Sequence, residues 1–159
     1  MIQRLLMALV LAFALGASGS AVAQSNGSGA NGSGADNAPS ALGAPDQQAI
    51  REVIEAQLTA FQHDDGAKAF GYATPMIQQK FGDAATFMQM VKSGYTAVYR
   101  PKSVAFDKLV DTEYGPDQIL KVIGPDGAGY VVHYIMQKQA DGSWMINGCY
   151  MTRAEGQNV

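Results

Sequence analysis

Apolar positions recur at helical spacing through the first half of the chain and alternate in the second, and the change falls at Pro101. Ile50, Val53, Ile54, Leu58 and Phe61 share one stripe, with Arg51, Glu52, Glu55 and Gln62 opposite, so the spacing predicts an amphipathic helix over 46–63. Pro45 suits its start by a fixed φ, and Asp46 by its charge at the positive end of the helix dipole. Three shorter helices are expected over 67–72, 75–81 and 84–93, with Thr74 and Asp83 as N-caps and Gly94 as a stop. Alternation then predicts strands over 103–110, 118–123, 129–138 and 143–152. Tyr114-Gly115-Pro116-Asp117, Pro125-Asp126-Gly127 and Ala140-Asp141-Gly142 carry turn chemistry, so successive strands should pair as antiparallel hairpins. The expected fold class is α+β, a long N-terminal helix and short helices packed on a four-stranded antiparallel sheet.

The strand over 129–138 is apolar on both sides: Tyr130, Val132, Tyr134 and Met136 alternate with Val131, His133 and Ile135. A sheet with one solvated face alternates more cleanly, so both faces are expected to be covered. The long helix takes one. A second copy of the chain, giving a homodimer, or a ligand pocket would take the other.

Residues 1–23 read as a secretory signal: Arg4, an apolar run from Leu5 to Leu15, then the small-residue site Ala21-Val22-Ala23. A mature chain beginning near Gln24, periplasmic or secreted, is the expectation. The apolar run falls short of the roughly 20 residues that span a bilayer, so no stable membrane anchor is expected after cleavage. Residues 24–44 are almost entirely Gly, Ser, Ala and Asn and read as a flexible tether; 45–153 form a single domain and 154–159 a disordered tail.

Charge and cysteine content narrow the partners. The chain has 11 Lys and Arg against 14 Asp and Glu, and loss of the leader with Arg4 leaves 10 against 14. These charges are scattered, with no basic stripe for nucleic acid. The single cysteine, Cys149, forms no internal disulfide, so stability rests on packing.

The block ATPMIQQKFGDAATFMQMVKSGYTAVYRP, residues 73–101, together with ADGSWMINGC, residues 140–149, resembles a domain-of-unknown-function family of exported proteobacterial proteins. That family is placed with the nuclear-transport-factor-2-like, cystatin-like and SnoaL-like folds. The resemblance implies a cone, with the long helix in the concave face of a curved sheet and short helices at its mouth. It implies no activity, because the wider superfamily holds isomerases, cyclases and dehydratases beside many non-catalytic domains.

Against the isomerases of that superfamily, the long helix offers no tyrosine to donate to an enolate. Asp64, Asp65 and Asp107 read as capping or solvated carboxylates. A dehydratase-like set would draw on His133, with Tyr134 and Asp107 as further candidates, although no carboxylate is evidently aimed at His133. His63 reads as a helix C-cap. Two distant histidines and one cysteine make no metal motif, and no cofactor is expected. Cys149 has no basic neighbour in sequence to activate it and reads as buried and inert. Trp144, beside the Asp141-Gly142 turn, reads as a hairpin anchor. If a cavity exists at the cone mouth, its lining would come from Phe61, Phe70, Tyr72, Met76, Phe87, Met90, Tyr95 and Tyr99, with Arg100 placed to meet a ligand carboxylate. The leading expectation is a non-catalytic exported domain that binds a small apolar or amphipathic molecule or a protein. The alternative is a small cofactor-free enzyme of isomerase or dehydratase type built on His133.

Overall fold

The computed structural model describes residues 40–154. The leader at 1–23, most of the tether and the last five residues lie outside them. Five helices come first: α1 (Ala44–Gln62), α2 (Gly66–Gly71), α3 (Pro75–Phe81), α4 (Ala84–Gly94) and α5 (Thr96–Tyr99). Four strands follow: β1 (Ser103–Thr112), β2 (Gly115–Ile123), β3 (Gly129–Lys138) and β4 (Trp144–Arg153). The strands form one antiparallel sheet in the order β1-β2-β3-β4. The fold is α+β, helices first and strands after, as the sequence predicts. No helix among the described residues is long and apolar enough to cross a membrane.

One face of the sheet carries the core. Ile50, Ile54, Leu58 and Phe61 of α1 join Leu120 and Val122 of β2, Val132, Tyr134 and Met136 of β3, and Trp144 and Ile146 of β4. Burying each large aliphatic or aromatic side chain contributes roughly 1.5–3 kcal/mol. Asp46 fastens the start of α1 to the last hairpin, accepting from Trp144 Nε1 at 2.9 Å and Lys138 Nζ at 2.8 Å. Trp144 therefore anchors the hairpin as expected, with its ring buried.

Two bulges interrupt the ladders, one at Asp107-Lys108 on β1 and one at Asn147 on β4. Each bends its strand and sharpens the local twist. The side-chain oxygen of Asn147, Oδ1, accepts from Thr74 Oγ1 at 3.1 Å. That bond corrects one expectation: Thr74 occupies the N-cap position of α3, yet its hydroxyl leaves the helix for the bulge. Asp83 does cap α4, accepting from the Thr86 amide at 2.7 Å. His63 ends α1 as expected, with its ring Nδ1 2.8 Å from Thr59 O.

Beyond shifts of one or two residues at element ends, three features differ from the sequence reading. The stretch Thr96–Tyr99 forms a further helical turn, too short to show a period. The tether ends earlier than residue 44, because Ser40 N donates to Leu109 O at 2.9 Å, Ala41 N to Asp111 Oδ2 at 2.8 Å, and Leu42 packs on the core. Most consequentially, Gly115, Pro116 and Asp117 belong to β2, and the turn is the pair Glu113-Tyr114, closed by Thr112 Oγ1 donating to Gly115 O at 2.7 Å. Pro116 fits because it sits at the beginning of its strand.

Candidate functional site

Register decides which side chains share a face. Asp117 is opposite Val110 on one side and Ile135 on the other, and Ile119 pairs with His133, which pairs in turn with Tyr150. All of these lie on the face turned away from α1. Val110, Asp117 and Ile119 are buried there, His133 and Ile135 are half-buried, and Tyr150 is 47% exposed.

Within that apolar setting Asp117 Oδ2 lies 2.7 Å from His133 Nδ1. The imidazole stacks on Tyr150 with ring centres 4.4 Å apart and planes 4° from parallel. The second carboxylate oxygen, Asp117 Oδ1, is buried without a hydrogen-bond partner among the described residues. A buried acceptor without a partner carries a desolvation cost of about 1–3 kcal/mol, so packing alone does not account for a carboxylate here. Burial first, and the Asp117 charge second, push the Tyr150 phenol up from its ordinary value.

This arrangement replaces the set expected from sequence. His133 does have a carboxylate, but it is Asp117 rather than Asp107, which pairs with Lys121 at 3.1 Å. The tyrosine against His133 is Tyr150, whereas Tyr134 points into the core. The Tyr134 hydroxyl lies beside the Cys149 sulfur without meeting hydrogen-bond geometry, and burial holds it well above the usual phenol range. Burial likewise pushes the Cys149 thiol up to about 12, which leaves it protonated and unreactive near neutral pH. Asp117 escaped sequence reasoning because Gly115 and Pro116 beside it look like turn residues. Counting back two positions at a time from Ile119 places it on the His133 face.

Most of the residues expected to line a cavity pack into the core instead. Phe87 sits among Phe61, Phe70 and Phe81 at ring-centre distances of 6.2, 5.3 and 5.5 Å. Tyr72, Met90, Tyr95 and Tyr99 are partly buried against the same core, and Met76 stands 60% exposed. The Tyr95 hydroxyl donates to Cys149 O at 2.9 Å. Arg100 is already engaged: its guanidinium lies over the Tyr99 ring, bonds the Phe61 carbonyl, and meets Asp64 Oδ2 at 2.7 Å. Asp64 also accepts from the Tyr99 hydroxyl and pairs with Lys92 at 3.1 Å. These bonds, Tyr99 foremost and Lys92 next, pull its carboxyl down to about 2. Among the described residues no three His, Cys, Asp or Glu side chains gather as metal ligands do.

No curated protein matches the chain. Among solved structures, ActVI-ORFA from Streptomyces coelicolor aligns over 72% of this chain and 98% of its own length, at 13% identity and a TM-score of 0.45. The family described as Domain of unknown function (DUF4864) matches residues 43–159, nearly all of the helix-and-sheet domain just described, and the chain belongs to that family.

Proposed function

We propose that this protein is an exported, non-catalytic binding domain, delivered to the periplasm or the exterior by the leader at 1–23. It engages a protein partner, first of all a second copy of itself, through the sheet face that carries Asp117, His133 and Tyr150. The observation that carries this reading is the acid-histidine-tyrosine cluster on a mainly apolar face turned away from α1. The sheet edges leave less room for a partner. The edge of β4 is taken by Thr74 N donating to Ile146 O at 2.9 Å and Ile146 N donating to Tyr72 O at 2.8 Å. The edge of β1 is met by Ser40 and broken by its charged bulge, features that discourage strand addition.

Native mass spectrometry of the protein purified from the periplasm and medium tests the reading. The expected species begins at Gln24 and is a dimer, and Tyr150→Asp, an exposed change that sets a like charge near Asp117, turns it into a folded monomer. A chain retaining its leader, or a wild-type monomer with no bound protein, would sink the proposal. One observation favours a second reading, a small enzyme of isomerase or dehydratase type: a carboxylate within hydrogen-bond reach orients His133, as a general base requires. That reading requires a small molecule retained by the wild-type chain and lost in His133→Gln, which the same spectra would show.

A further inference from the structure

The face that carries Asp117, His133 and Tyr150 holds a carboxylate whose balance of charge depends on one imidazole. The side chain of Asp117 is 5% exposed and that of His133 19%. A carboxylate has no hydrogen to offer, so the 2.7 Å contact with Asp117 Oδ2 places a hydrogen on His133 Nδ1 and leaves Nε2 as the ring atom that takes up a proton. Asp117 Oδ1 has no hydrogen-bond partner among the described residues. With the imidazole neutral, the pair carries one negative charge; with it protonated, the pair carries none in total.

Other titratable groups turned to this side are few. Lys121 of β2 pairs with Asp107 of β1 at 3.1 Å, beside the bulge that holds Lys108. From β4 comes the Tyr150 phenol, which burial and the Asp117 charge push up, so it stays uncharged near neutral pH. On β3 itself the neighbours of His133 on this face, Val131, Ile135 and Gln137, have no charge. Between pH 6 and pH 8 histidine side chains ordinarily change charge while carboxylates, lysines and tyrosines do not, so protonation acts on this pair through the imidazole.

A two-fold contact sets the same patch against itself, so charge on one copy meets like charge on the other. Two Asp117 carboxylates beside neutral imidazoles would repel across such an interface while losing what remains of their hydration. Two carboxylate-imidazolium pairs carry no net charge to repel. A hydrogen bond from the partner copy leaves this preference in place, because a tyrosine hydroxyl can donate to a bare Nε2 or accept from a protonated one. We propose that dimerisation through this face takes up a proton at His133 of each copy, so that the dimer tightens as pH falls. The proposal rests on the dimer of the proposed function and adds what controls it. Its sign follows from linkage: the state that binds more protons is favoured as pH falls, here by at most about a hundredfold per pH unit for one site on each copy.

Sedimentation equilibrium of the full mature chain at pH 8, 7 and 6, at fixed ionic strength, tests this. The dimer dissociation constant should fall at least about tenfold from pH 8 to pH 6. His133→Gln keeps a neutral donor for Asp117 and should hold the constant near the wild-type pH 8 value across the range. Asp117→Asn removes the negative charge, so protonating His133 then charges the face instead of neutralising it, and the dimer should weaken toward pH 6. A purely structural role for Asp117 would weaken the dimer without reversing the trend. Circular dichroism at each pH checks that both variants are folded, and His133→Gln, at the more exposed of the two positions, decides the matter if Asp117→Asn is not. A wild-type dimer of constant strength from pH 8 to pH 6, or a trend that persists in His133→Gln, would overturn the proposal and leave the dimer standing. A monomer at every pH would overturn the dimer, and the proposal with it.

Discussion

Asp64 is the residue on which the α1–α2 corner closes. It has a positive φ of 57°, which aspartate and asparagine tolerate better than most residues, and its carboxylate gathers Tyr99, Lys92 and Arg100. Its folded carboxyl is pulled down to about 2, against an ordinary value of 3.8. A depressed carboxylate contributes stability that is fully present above the ordinary value and lost as pH falls through the folded one. Asp64→Asn keeps the backbone preference and removes the charge. The melting temperature of the wild-type domain should exceed that of the variant at pH 7, and the gap should close between pH 4 and pH 2. A gap unchanged at pH 2 would mean that the carboxylate's charge is not what holds the corner. Sequence reading caught the residue types here and missed their partners: Asp64 looked like a helix-end carboxylate and Arg100 like a free cation, and only folding puts them 36 positions apart in sequence yet 2.7 Å apart in space.

At the scale of elements, the hairpin β1–β2 determines what the outer face can do. Gly115 opens β2 with a φ of 117°, and a Cβ there would stand 2.6 Å from the carbonyl oxygen of Met136. That atom is backbone of β3, so it cannot turn aside as a side chain would. Gly115→Ala should cost about 3 kcal/mol in urea unfolding, since strain and a backbone clash act together. Gly142→Ala is the control: its φ of 87° also disfavours alanine, but its Cβ would meet open space, so about 1 kcal/mol is expected. Equal costs would show that the approach to β3 is not what requires the glycine at 115. This hairpin is also where sequence and structure part. Helix and strand periods located almost every element, because amphipathic stripes and alternation reflect burial directly. The β1–β2 turn was misplaced because Gly and Pro mark turns only on average, and here their special geometry serves a close strand approach. Shifting the turn forward exposed Asp117 as the partner of His133, so an error in one boundary hid half of the candidate site.

For the molecule as a whole, the question is whether helices and sheet stand together. Phe87 on α4 contacts Phe61 of α1, Phe70 of α2 and Phe81 of α3, so one ring links four helices. Phe61 belongs to the same buried cluster as Leu120, Val132 and Met136 of the sheet, which makes the helical layer and the sheet two sides of one core. Phe87→Ala should therefore destabilise the entire domain by about 3–5 kcal/mol, the usual cost of emptying a buried aromatic site. Because the core is shared, the loss should appear as one cooperative transition at lower denaturant. Far-ultraviolet circular dichroism reports the helices, and the fluorescence of Trp144, the single tryptophan, reports the last hairpin and its bond to Asp46. The two signals should move together in the wild type and in Phe87→Ala. Loss of helical signal while Trp144 stays in its native environment would show instead that the short helices form a separate unit resting on a self-sufficient sheet. A mouth that opens without unfolding the sheet would then bring Phe61, Phe70 and Phe87 back as the walls of a ligand cavity.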